Sequence, residues 1–143
     1  MNFGYLLYPW GDHRISDFVD NTALVNSIAD RSEGFVWRLK DGDFELPEND
    51  LERLFGRPDV AAATLSIWEN FEYFEHFVHK TVHGKFLTRR SEWFENIDAH
   101  SYVIWPVDVG HVPSLTEGKK KLMSLRDHGP SEEAYDFESR STG

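Results

Sequence analysis

The chain has 143 residues, no cysteine, and 25 Asp and Glu against 15 Lys and Arg, a formal charge of -10. This balance excludes disulfides, thiolate chemistry and cysteine metal sites, and its field repels phosphate backbones and anionic membrane surfaces, so neither nucleic acid nor membrane is an expected partner. No apolar run approaches the roughly 20 residues of a bilayer span, and the start lacks the basic segment of a secretion signal, so a cytoplasmic chain is expected.

Phe3 to Tyr8 is short, aromatic and closed by Pro9, Gly11 and Asp12, the pattern of a first strand and its turn. From Ile15 to Ala29 the positions Ile15, Phe18, Val19, Thr22, Val25, Ile28 and Ala29 recur at three and four. That predicts a helix capped by Asp12 or Ser16 and closed by Gly34. Gly34 to Leu39 alternates, with Phe35, Trp37 and Leu39 on one face and Val36 and Arg38 on the other, and reads as a second strand. Residues 40–59 are dense in charge and turn formers and read as a long connection with a helical turn at 51–55.

Val60 to Trp68 is expected as a third strand, and Glu69 to Lys80 as a helix with Phe71, Phe74, Phe77 and Val78 on one stripe. Lys85 to Asn96 reads as a second helical stretch beyond a break at Gly84, and Tyr102 to Val107 as a fourth strand. Ser114-Leu115-Thr116-Glu117 carries a capping box, with Ser114 as N-cap and Glu117 at N3, and His128-Gly129-Pro130 stops that last helix. A polar tail follows from Ser139.

The order β-α-β-β-α-β with an extra C-terminal helix is the ferredoxin-like, α+β topology, expected as a single domain over residues 1–138. Apolar and aromatic residues on both strand faces leave one face of such a sheet in need of cover. A second copy packed sheet to sheet, a homodimeric α+β barrel, is the expected solution. Aromatic residues make up 15% of the chain, enough to fill a core, an interface or the walls of a pocket.

The stretches Gly34-Phe35-Val36-Trp37-Arg38-Leu39, Leu65-Ser66-Ile67-Trp68-Glu69, Phe77-Val78, His83 with Phe86-Leu87, Arg89-Arg90 with Glu92-Trp93-Phe94-Glu95, Gly110-His111-Val112-Pro113, and His128-Gly129-Pro130-Ser131 with Ala134 and Phe137 carry a resemblance. Together, and in order over nearly the whole chain, they resemble a bacterial family catalogued only as a domain of unknown function. The resemblance implies membership of the dimeric α+β-barrel superfamily, alongside antibiotic-biosynthesis monooxygenases. It also implies a shortlist of chemistries: cofactor-independent monooxygenation, polyketide cyclisation, lactone isomerisation and haem handling. The family pattern has several residues ahead of an Asn matching Asn2, where this chain has Met1.

His76, His79 and His83 fall within about 60° of one another on a continuous helix, a spacing that metal sites use. They lie opposite the Phe71, Phe74, Phe77 and Val78 stripe, however, so no metal site is expected. His83, beside Gly84 and within a family motif, is the expected acid or base, because a neutral imidazole can take a proton from a phenol or an acidic carbon. Arg89 and Arg90 are adjacent and diverge on a helix, so one at most faces a pocket as anion stabiliser and the other is a surface partner of Glu92 or Glu95; Arg90 is taken as the catalytic candidate, although the sequence does not fix which of the two faces inward. Trp37, Trp68, Trp105 and Phe86 are candidate pocket walls, and His111 is a mouth residue or a turn donor. The expected activity is a cofactor-independent cyclase, isomerase or monooxygenase acting on a hydrophobic small molecule. A non-catalytic binding dimer is the alternative and a haem enzyme the third reading.

Overall fold

The computed structural model describes residues 1–57, 59–81 and 89–142. In chain order its elements are β1 (Asn2–Tyr5), α1 (Ser16–Asp30), β2 (Phe35–Arg38), α2 (Leu51–Phe55), β3 (Ala61–Thr64), β4 (Ser66–Trp68), α3 (Phe71–His76), α4 (Arg90–Trp93), α5 (Leu115–His128) and α6 (Phe137–Thr142), with short 3-10 turns between them. The protein is therefore α+β. No helix among the described residues is long and apolar enough to cross a membrane. The chain divides into two compact units, one of Met1–Gly4, Leu39–Leu65 and Ile97–Gly143, the other of Tyr5–Arg38 and Ser66–Asn96.

In the first unit β1 pairs with β3, and Asn2 bridges antiparallel to Tyr102. Helix α5 contributes a continuous buried stripe to the core: Leu115, Gly118, Leu122 and Leu125 recur at three and four and are all buried. Each such leucine contributes about 1.5–3 kcal/mol by leaving water. Gly118 lets the Met1 side chain approach the helix closely, since a Cβ there would have to displace the Met1 sulfur. The charged connection after β2 is built rather than loose. Two 3-10 turns, Asp41–Glu45 and Pro47–Asn49, lead into α2, whose N-cap Asp50 accepts from the Arg53 amide. Buried Asn49 ties this segment to α5, donating to the Asp43 carbonyl at 3.0 Å and accepting from the Leu115 amide at 2.8 Å. Phe55 stacks on Phe3 with centroids 4.0 Å apart.

In the second unit Asp12 caps a 3-10 turn, His13–Ile15, which runs into α1 with Ile15, Phe18 and Ala29 buried. β2 and β4 pair antiparallel in the register Phe35↔Trp68, Trp37↔Ile67, Arg38↔Ser66, with an irregularity between Phe35 and Trp37. Ala29 and Phe77 are buried among Val25, Ile28, Phe35, Trp68, Phe74 and Val78. Three of the four expected positions of the stripe, Phe74, Phe77 and Val78, thus face α1 and the hairpin. Asn70 caps α3 by accepting from the Tyr73 amide, and the helix widens into a π turn over Phe77–Thr81. A second aromatic group forms around Phe18, which meets Trp10, Trp93 and Phe94.

Several expected elements are corrected. The strand expected over 60–68 is two short strands separated at buried Leu65, β3 pairing with β1 and β4 with β2, so two two-stranded sheets replace the single four-stranded ladder. The expected fourth strand, 102–107, is reduced to single bridges of Tyr102 to Asn2 and Ile104 to Tyr135, because Pro106 has no amide proton to extend a ladder. The helix expected over 85–96 is described only at Arg90–Trp93; Lys85–Thr88 lie outside the described residues. The expected polar tail is helical from Phe137, because the Asp136 carboxylate accepts from the Ser139 amide at 2.7 Å and holds the first turn.

Candidate functional site

Glu117 is the organising residue of the candidate site in the first unit. Ser114 caps α5 as the sequence predicts, accepting from the Glu117 amide at 3.2 Å. The Glu117 side chain does not return to the Ser114 amide to close the capping box. It turns instead to two residues of the preceding segment: Trp105 Nε1 donates to one carboxylate oxygen at 2.8 Å, and His111 Nε2 meets the other at 2.7 Å. The segment reaches back over the helix start through a turn at Gly110, which has φ of 90°, and a bond from the His111 amide to the Asp108 carbonyl. Buried Pro113 and Leu115 anchor the end of this turn.

The chemistry follows from the donor and acceptor inventory. An ionised carboxylate only accepts, so the His111 nitrogen facing Glu117 carries a proton and the imidazole presents Nδ1 with its lone pair. No described residue bonds Nδ1, and the His111 side chain is 46% exposed, so an incoming molecule can reach it. The indole bond prevents the carboxylate from rotating, which fixes the imidazole in turn. A histidine oriented by a carboxylate is positioned for acid–base chemistry. Exposed Val109 and Val112 flank it along the chain and give the surroundings an apolar character.

Other expected site residues are placed elsewhere. Trp68 packs at 4.8 Å from Phe77 and 5.4 Å from Phe35, and its indole donates to the Ser66 hydroxyl at 3.1 Å, which makes it a core residue of the second unit. Trp37 is half-buried on β2 opposite Ile67. His83 and Phe86 lie outside the described residues. Arg89 bonds Glu92 at 2.8 Å and Asp17 at 3.1 Å, and these carboxylates raise its pKa. Arg90 points elsewhere, half-buried, with its guanidinium carbon 4.4 Å from the Phe94 centroid. His76 and His79 are exposed and, with Glu72, Glu75 and Lys80, bound an open polar depression.

Sequence reading missed a second carboxylate–histidine pair. His100 Nε2 lies 3.0 Å from buried Asp136, whose other oxygen takes the Ser139 amide, while Arg126 holds the His100 carbonyl. Burial works to raise the Asp136 pKa, but the bonds from Ser139 and His100 outweigh it and the net shift is downward. Nothing in local spacing relates residues 36 apart. The role of Glu117 was equally hidden, because its capping position is a sufficient local explanation.

No curated protein and no solved structure matches the chain. One family model does, over residues 1–143, in agreement with the motifs that run from Gly34 to Phe137. The chain belongs to the family described as Domain of unknown function (DUF3291).

Proposed function

We propose that the chain is a small-molecule enzyme that moves a proton on a hydrophobic, aromatic or polyketide-like substrate, in the manner of a cyclase or isomerase working without a metal or nucleotide. The observation that carries this reading is the Glu117 carboxylate bridging Trp105 and His111. In the reaction, His111 Nδ1 takes a proton from an acidic carbon or phenol and the electron pair left behind delocalises into the substrate carbonyl or ring. Glu117 stabilises the imidazolium, the exposed imidazole exchanges its proton with solvent, and a proton returns from it to a different atom, so no redox partner is needed. Oxidation of an activated phenolate by O2 is the variant that begins with the same proton transfer.

The reading includes a cytoplasmic, ferredoxin-like domain that pairs into a dimeric α+β barrel. The pairings of Tyr102 with Asn2, β1 with β3 and β4 with β2 support it, since they are neighbour pairs of a split βαβ sheet. Val36, 54% exposed on β2, supports cover by a second copy. A non-catalytic binding dimer is the second reading, favoured by one observation: the rings around Trp68 and Phe18 are packed into cores rather than left to line a cavity.

Solvent-deuterium exchange tests the first reading. The protein is incubated in D2O with a panel of 1,3-diketones and activated phenols, and deuterium uptake at carbon is read by NMR. Uptake above the buffer rate that falls by about 10²–10⁴-fold in His111→Ala is expected. Uptake that is the same in both proteins, or none across the panel, overturns it.

A further inference from the structure

Arg90 is an anomaly for a chain with 25 acidic residues. Its neighbour Arg89 is held by two carboxylates, Asp17 and Glu92. Arg90 is half-buried, yet no described residue offers it a carboxylate or any other hydrogen-bond acceptor. The residues outside the described set supply no acidic side chain either, since 82–88 read Val-His-Gly-Lys-Phe-Leu-Thr and the others are Pro58 and Gly143. One face of the guanidinium lies on Phe94, which is buried and fixed edge-on by Phe18 at 5.0 Å. A cation so placed gives up hydration, and a cation–π contact of about 0.5–2 kcal/mol offsets only part of that cost. The same loss of water lowers the Arg90 pKa from its ordinary value.

We propose that Arg90, backed by Phe94, forms an anion-binding site for an organic monocarboxylate, distinct in its residues from the His111 group. Stacking on Phe94 occupies one face of the guanidinium and leaves its in-plane N–H fork, which matches the two oxygens of a carboxylate. A single guanidinium neutralises one charge. A phosphate dianion would keep a net negative charge beside a strongly acidic protein, whereas a monocarboxylate would not.

Benzoate is the probe, with benzamide as its neutral isostere and inorganic phosphate as the competing anion. Binding to the full chain is followed by the backbone amide resonance of Phe94, which wild type and variants share, and in the wild type also by the Arg90 Nε–H resonance. Saturable benzoate binding is expected, at least about tenfold tighter than benzamide or phosphate, and weakened about tenfold or more in Arg90→Gln, the loss of one charge-assisted pair. Arg90→Lys keeps the charge without the fork and is expected to bind benzoate more weakly than the wild type. It also decides the matter where Arg90→Gln does not fold. No saturable shift with benzoate, phosphate as the tightest ligand, or Arg90→Lys equal to the wild type would each overturn the proposal.

Discussion

Trp105 donates its indole proton to Glu117 at 2.8 Å, and the other oxygen of the same carboxylate lies 2.7 Å from His111 Nε2. The three side chains act as one unit, because the carboxylate cannot turn toward the imidazole without keeping the indole, and neither contact belongs to the helix that carries Glu117. Trp105→Phe keeps an aromatic side chain, smaller by the pyrrole ring, and removes the donor. It is expected to cost about 1–2 kcal/mol in urea unfolding. Glu117→Gln is expected to allow the His111 tautomer to reverse, because an amide NH2 facing Nε2 needs a lone pair there. The imidazole nitrogen shifts report it directly, and an unchanged tautomer would separate His111 from Glu117.

Asp136 makes the stability of the first unit depend on acid. Its folded pKa is depressed, chiefly because hydrogen bonds from Ser139 and His100 overcome the upward effect of burial. For a carboxyl with a folded value below its unfolded one, near 3.9, the stabilisation is fully present above the unfolded value and is lost as pH falls through the folded one. Thermal midpoints taken downward from pH 6 are expected to drop below about pH 4. Asp136→Asn is expected to start lower at pH 6 and to flatten the acid limb; an identical slope in both proteins would assign the acid sensitivity to other groups.

Gly34 and Tyr73 pack backbone against ring in the second unit. Gly34 has φ of 84°, and a Cβ there would lie 2.2 Å from Tyr73 Cγ. The residue also ends the hairpin, its carbonyl accepting from the Glu69 amide at 2.7 Å. Gly34→Ala combines a left-handed backbone penalty of about 1–2 kcal/mol with a clash. In a double-mutant cycle with Tyr73→Ala, the clash with the ring is expected to vanish, while the crowding against the Cβ that alanine retains and the backbone penalty remain. Strict additivity of the two changes would show that the ring already moves aside at no cost.

Sequence alone determined what depends on neighbours along the chain. Helix α5 begins at Leu115 after the Ser114 cap and stops before Gly129 because capping, three-and-four periodicity and a glycine stop are local hydrogen-bonding and burial rules. α1 was equally legible from its apolar spacing, and α+β as a class from the order of elements. Tertiary structure alone decided the break at Leu65, since where a strand changes partner depends on which ladder each half finds. It also decided that Trp68 is core while Trp105 joins His111 through Glu117, and that Arg89 is paired across 72 residues while Arg90 is not. Periodicity assigns a side chain to a face of its own element; which group waits opposite that face is set by packing between segments far apart in sequence, and a carboxylate or guanidinium takes its chemistry from that partner.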